Sequence, residues 1–151
     1  MPGSPGGCCQ PGAGSGRMSR VQREGSCHCG AVAYRVLLDA QPTSYRCNCS
    51  ICTKARTWFV PVAVADFTIL RGEEALSTYT FGAGSIEHRF CTVCGVRTHG
   101  HGEAEELGGR FVSICVATLD LSPEQFAAIE ATYLNGRDDK FDEPPPITSY
   151  L

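Results

Sequence analysis

From Val21 onward, apolar positions recur with a period of two rather than with helical spacing. Val32, Tyr34 and Val36 alternate with small or polar residues, which places them on one face of a strand. Phe67-Thr68-Ile69-Leu70, Thr78-Tyr79-Thr80-Phe81 and the run from Phe111 to Val116 are rich in β-branched and aromatic residues and read as further strands. Gly72, Gly82-Ala83-Gly84 and Gly108-Gly109 punctuate them as turns. One helix is well signalled. Ser122 can N-cap it, Pro123 suits its first turn, and Gln125 completes a capping box. Phe126, Ile129 and Tyr133 then fall at helical spacing, and Asn135-Gly136 ends the segment. A shorter helical turn is expected from Cys49 toward Arg56. The pattern predicts a mainly β fold of short antiparallel strands with one short C-terminal helix.

The two ends differ from this texture. Residues 1–17, MPGSPGGCCQPGAGSGR, hold no large apolar side chain after Met1 and read as a disordered or tag-like Gly/Pro-rich tail, with Met18 a sensible internal start. Residues 18–136 form the folded domain. Residues 137–151 are charged, then carry Pro144-Pro145-Pro146, and read as an extended C-terminal tail.

Composition narrows the function classes. A hydrophobic content of 42% in 151 residues supports one ordinary core. Thirteen basic against 16 acidic residues, a net charge of -3, disfavour nucleic-acid binding. No apolar run approaches the roughly 20 residues of a membrane span, and no signal peptide is visible, so a cytoplasmic protein is expected. The 10 cysteines change the picture most. In a cytoplasmic chain, clustered cysteines point to metal or redox chemistry rather than to a disulfide scaffold.

Seven cysteines fall into three knots: Cys27-His28-Cys29-Gly30, Cys47-Asn48-Cys49-Ser50-Ile51-Cys52 and Cys91-Thr92-Val93-Cys94-Gly95. A CxxC turn followed by Gly bends the backbone so that both sulfurs converge on one ion. A CxC on an extended strand also places both sulfurs on one face, with His28 pointing away. Cys27, Cys29, Cys91 and Cys94 therefore pair as a closed structural zinc site. Cys47, Cys49 and Cys52 are one ligand short of closure. Three thiolates plus an open position is the pattern of reactive zinc, in which an external thiol completes the shell. The site closes instead if His99, His101 or Cys115 supplies a fourth ligand, and Cys49 with Cys52 could alternatively form a redox dithiol. Cys115, in an apolar run, reads as a buried core thiol. Cys8 and Cys9, in the tail, are weak metal candidates. Trp58 and Phe59, with Arg56, could wall a pocket for a small polar ligand, and His99 and His101 could flank the open site.

Gly25-Ser26-Cys27-His28-Cys29-Gly30-Ala31-Val32, Cys47-Asn48-Cys49-Ser50-Ile51-Cys52 and Phe90-Cys91-Thr92-Val93-Cys94-Gly95-Val96 resemble the motifs of the glutathione-dependent formaldehyde-activating enzyme family, which includes centromere protein V. The resemblance runs from about Val21 to Tyr133. It implies an Mss4-like β-tent stabilised by zinc, with two zinc ions per chain. Carried over, Cys27, Cys29, Cys91 and Cys94 are structural ligands, and Cys47, Cys49 and Cys52 hold a second metal tied to catalysis. The implied activity is S-(hydroxymethyl)glutathione synthase, a carbon–sulfur lyase acting on glutathione and formaldehyde. Arg56, Arg97 or Lys54 could then clamp a glutathione carboxylate. The competing expectation is a zinc-stabilised protein-interaction module without catalytic activity.

Overall fold

Strand β2 (Ala33–Asp39) alternates as its sequence demands: Tyr34, Val36 and Leu38 are buried while Arg35 and Asp39 face solvent. In the computed structural model, which describes residues 19–151, it is the middle of a three-stranded sheet. The expected N-terminal tail, with Cys8 and Cys9, lies outside the described residues. β1 (Arg20–Ser26) pairs antiparallel with β2 along its whole length, from Arg20 opposite Asp39 to Ser26 opposite Ala33. β5 (Phe67–Arg71) pairs antiparallel on the other edge of β2.

The second sheet has seven strands. In chain order they are β3 (Ser44–Cys47), β4 (Trp58–Ala63), β6 (Leu76–Tyr79), β7 (Ile86–Cys91), β8 (Arg97–Ala104), β9 (Gly109–Cys115) and β10 (Ala131–Leu134). Across the sheet they run β10-β3-β4-β9-β8-β7-β6. Every pairing is antiparallel except β10 with β3. β9 is buried continuously from Phe111 to Cys115, as a strand covered on both faces should be.

The core lies between the sheets. Tyr34, Val36 and Leu38 of the small sheet meet Val60, Val112 and Ile114 of the large one, with Val116 and Leu119 from the segment after β9. The Tyr34 hydroxyl is satisfied by Thr118 Oγ1 at 2.8 Å. Gly25 allows this contact. A Cβ there would stand 2.5 Å from the Tyr34 ring and 2.6 Å from the Thr118 carbonyl oxygen.

Two short helices complete the fold. α1 (Ser50–Ala55) starts at Cys49 and ends at Arg56, which adopts a left-handed conformation with φ 53. α2 (Pro123–Ala127) carries the expected capping box: the Gln125 backbone N–H donates to Ser122 Oγ at 3.2 Å, and the Ser122 N–H donates to Gln125 Oε1 at 2.8 Å. It stops well before Tyr133, contrary to the helical spacing. Ala131–Leu134 instead pairs in parallel with Ser44–Cys47, and Ser44 Oγ donates to the Glu130 carbonyl at 2.5 Å. The ladder to β3 outweighs a local helical preference that Thr132 and Tyr133 support weakly. Beyond β10, Lys140 N–H donates to the Asn135 carbonyl at 3.0 Å, Pro145 is buried, and Arg56 donates to the Tyr150 carbonyl.

Candidate metal centre

The first and third cysteine knots occupy two hairpin turns that meet. Cys27 and Cys29 lie in the turn between β1 and β2, and Cys91 and Cys94 lie at the turn between β7 and β8. The extended Cys27-His28-Cys29 strand expected from the spacing is therefore a turn. Gly30, at φ 78, bends it, and its N–H donates to the Cys27 carbonyl at 3.2 Å. The other hairpin repeats the device: Gly95 has φ 76 and donates to the Cys91 carbonyl at 2.8 Å. The backbone N–H groups of Val32 and Val93 point at the sulfurs of Cys27 and Cys91 at 3.3 and 3.4 Å.

All four sulfurs lie within 4.8 Å of one another. The closest pairs are Cys27–Cys29 at 3.6 Å and Cys29–Cys91 at 3.7 Å. Bonds of about 2.3 Å to a tetrahedral zinc require sulfurs roughly 3.8 Å apart, so this donor set fits the ion. Cys94 is already pulled down to about 6, chiefly by the backbone N–H groups of Cys29 and Val96. Cys27 and Cys91 are buried with Val32 in a small core of their own, walled by Ala75, Leu76 and Val96.

The middle knot is built from one strand end and one helix start. Cys47 closes β3, Cys49 precedes α1 and Cys52 sits in its first turn. Their sulfurs also lie within 4.8 Å of one another, a three-donor group able to hold a metal. Cys49 is held far down, to about 2, because the thiols of Cys47 and Cys52 and the N–H groups of Cys52 and Ile51 all favour its thiolate. Cys52 is pushed up in turn, chiefly because its thiol hydrogen-bonds to the sulfurs of Cys47 and then Cys49, with burial and their negative charge adding to this. A divalent cation would remove that conflict, so this donor set also suits one.

The three thiols line a cavity of about 630 Å³, walled largely by apolar side chains such as Phe59, Ile86, Phe111 and Leu134. His88 and Arg97 are among the polar groups that reach it from the large sheet. His88 of β7 is 5% exposed, stacks on Phe81 with ring centroids 5.9 Å apart, and has no hydrogen-bond partner at either ring nitrogen. Burial lowers its pKa and the Arg97 charge adds to this, while the Cys49 charge opposes it. Arg97 donates to Thr57 Oγ1 at 3.2 Å, and its Nε is buried without a partner. His88 carries no motif, and the sequence reading missed it. Its one signal is a polar residue at a buried position of a strand.

The other candidates separate. His99 is 1% exposed, packs against Phe67 in a tilted pair with ring centroids 4.6 Å apart, and shares a hydrogen bond with Thr98 Oγ1 at 2.8 Å. Neither it, His101 nor Cys115 joins the three-sulfur group. Cys115 is a buried thiol pushed up by desolvation, as its apolar run suggested. Of the aromatic pair, Phe59 lines the cavity. Trp58 turns to the core side, donating to Ser44 Oγ at 2.9 Å under the Arg46 guanidinium. Of the three cations, Arg97 lines the cavity, whereas Arg56 and Lys54 do not.

Two thiol clusters on the turns and strand ends of a β-fold define a small cysteine-rich domain able to hold metal. The sequence profile of the glutathione-dependent formaldehyde-activating enzyme family matches residues 22–136, and the chain belongs to that family. A Halomonas elongata protein bearing the family's name is 35% identical over 79 residues, covering 47% of this chain and 50% of that protein. The matched segment thus spans about half the length of that curated relative. The crystal structure of a Rhodobacter sphaeroides protein superposes with a TM-score of 0.60 at 31% identity, covering 72% of this chain and 99% of that one. The expected family and the mainly β fold are both observed. Among the described residues, no helix is long and apolar enough to cross a membrane.

Proposed function

We propose that the chain is a zinc-dependent carbon–sulfur lyase-like enzyme that makes and breaks a thiol–aldehyde adduct, with S-(hydroxymethyl)glutathione the adduct its family favours. One observation carries this reading. Cys47, Cys49 and Cys52 form a three-donor group in the wall of a cavity, and no fourth side-chain donor belongs to that group among the described residues. That is the donor set of reactive rather than closed zinc. Cys27, Cys29, Cys91 and Cys94 complete a four-donor set and are assigned to a structural ion.

Zinc held by Cys47, Cys49 and Cys52 would stabilise an incoming sulfhydryl as its thiolate. The chain's own residues serve the rest of the reaction. A carbon–sulfur bond forms at the carbonyl carbon, and the thiol proton finishes on the carbonyl oxygen; the lyase direction reverses both changes. His88, kept neutral by burial and unpartnered at both ring nitrogens, is suited to carry that proton. Arg97, with its buried Nε unpartnered, is suited to stabilise negative charge growing on the oxygen. Glutathione and formaldehyde are the proposed partners, in the cytoplasm.

The test joins metal analysis to exchange NMR. Two zinc ions per chain are expected, the second more easily chelated. The exchange of formaldehyde hydrate with S-(hydroxymethyl)glutathione should accelerate at least tenfold, and Cys49→Ser should abolish the acceleration while keeping one zinc. One zinc per wild-type chain, or exchange at the uncatalysed rate, would overturn the reading.

A further inference from the structure

We infer that the cavity beside Cys47, Cys49 and Cys52 binds an apolar carbonyl compound, aryl or branched alkyl, much larger than formaldehyde. The inference rests on reading the site as a thiol–aldehyde centre and names the carbonyl partner it is shaped for.

Size is the first argument. Formaldehyde is a two-heavy-atom molecule, and even a water claims only about 30 Å³ in the liquid. The cavity offers about 630 Å³, within the range of pockets that enclose drug-sized ligands. Formaldehyde would cover almost none of the apolar wall, and glutathione, a polar peptide, brings no apolar body to lay against it.

Lining chemistry is the second. Phe59, Ile86 and Phe111 wall the interior. Phe81, Leu107 and Phe141 also line it while remaining 46%, 47% and 58% exposed. Three large apolar side chains wetted around one opening is an arrangement that a ligand body can relieve, since covering apolar surface is favourable.

Charge is the third. Arg97 is the guanidinium of the lining. Glu103 and Glu106 line the same space. A carbonyl partner that itself carried carboxylates would meet Glu103 and Glu106, of its own sign, while glutathione's carboxylates compete for the single guanidinium of Arg97. A neutral apolar body meets no such opposition.

The polar end of the ligand is placed by what is unsatisfied. His88 is 95% buried, taking its 5% exposure, yet both ring nitrogens lack partners, as does Arg97 Nε. Buried polar atoms without partners are costly, and a carbonyl oxygen directed toward them supplies an acceptor. This leaves the carbonyl carbon toward the sulfurs and the apolar body toward Phe81 and Phe141. The reaction is the same addition. The thiol sulfur bonds to the carbonyl carbon, the carbonyl π bond opens, and the thiol proton passes to the oxygen.

The zinc-loaded full chain should bind naphthalenemethanol, an unreactive analogue, in a saturable titration followed by naphthalene fluorescence. Naphthaldehyde should displace it. The double variant Phe81→Ala/Phe141→Ala, with zinc content and circular dichroism unchanged, should bind at least tenfold more weakly; Leu107→Ala serves if the double variant loses metal. Absent binding, or equal binding by the variants, overturns the inference. Exchange NMR with glutathione separates the two readings. Accelerated formaldehyde exchange without naphthalenemethanol binding sinks the inference and spares the proposed function. Binding lost in the variants, with neither aldehyde accelerated, sinks the proposed function and leaves the apolar site standing.

Discussion

Asn48 and Asn135 join side chain to side chain across 87 residues of sequence, Asn48 Nδ2 donating to Asn135 Oδ1 at 2.9 Å in a buried contact. Asn48 Oδ1 also accepts the Arg137 backbone N–H at 2.8 Å, and its own N–H donates to the Leu134 carbonyl at 3.2 Å. Asn135 Nδ2 donates onward to Asp138 Oδ2 at 3.0 Å. The residue between Cys47 and Cys49 is thus tied to the turn after β10. Asn48→Leu would strand the Asn135 oxygen and the Arg137 N–H, at a cost of roughly 2–4 kcal/mol. Urea denaturation should read that loss, and Asn48→Asp, which keeps the acceptor for Arg137 but sets a buried carboxylate against Asn135 Oδ1, should lose at least as much.

Gly136 sits against the same thiols. A Cβ on it would lie 2.6 Å from Cys47 Sγ and 3.1 Å from the Cys49 Cβ. A sulfur fixed by a metal bond cannot yield as a free side chain can. Gly136→Ala should therefore weaken the middle site at least tenfold and leave the four-sulfur site intact. Chelator competition checks this, and two zinc ions held at wild-type affinity would contradict it.

The two clusters should respond differently to losing a ligand. Cys91 is fully buried at 0% exposure in a core it shares with Cys27 and Val32, so Cys91→Ser removes a ligand and opens that core. Its melting temperature should collapse or the chain should fail to fold. Cys49, only half-buried, lies outside both cores, and Cys49→Ser should lose one zinc with a cooperative unfolding transition preserved.

His99 sets a pH dependence. Burial lowers its folded pKa to about 3, helped by the neighbouring His101, Arg89 and Arg97, whereas an unfolded histidine titrates near 6.5. Between those values the unfolded chain binds more protons, so stability rises with pH across the window. It is lost as pH falls from about 6.5 toward 3, by at most about 1.4 kcal/mol per pH unit from this residue. His99→Gln should flatten the slope of urea stability against pH above about pH 5. An unchanged slope would show that other groups carry it.

What could be read beforehand was local. The grouping of the cysteines into knots was legible because each knot sits within six residues, whereas the bend at Cys27-His28-Cys29, expected as an extended strand, was not. The Ser122/Gln125 capping box was legible for the same reason, as it closes within one turn. What was missed depends on distant partners. Tyr133 looked helical until β3 recruited Ala131–Leu134 into a ladder. His88 matters because β7 lays it beside residues from β3, α1 and β8, a neighbourhood that no spacing announces. His99 and His101 showed a strand-like interval, yet His99 packs on Phe67 and Tyr34, on the side of the small sheet.

The Asn48–Asn135 tie has a consequence for the order in which a new chain matures on the ribosome. All four thiols of the outer cluster are in the nascent polypeptide by Cys94, and nothing beyond that point is needed to supply its donors. The inner cluster has its sulfurs by Cys52, but its clasp arrives only with Asn135 and its covering glycine one residue later. Synthesis from the N-terminus therefore delivers every thiol of the four-sulfur cluster before the three-sulfur cluster is tied down. The clasp on the three-sulfur cluster waits until Asn135 and Gly136 have been made.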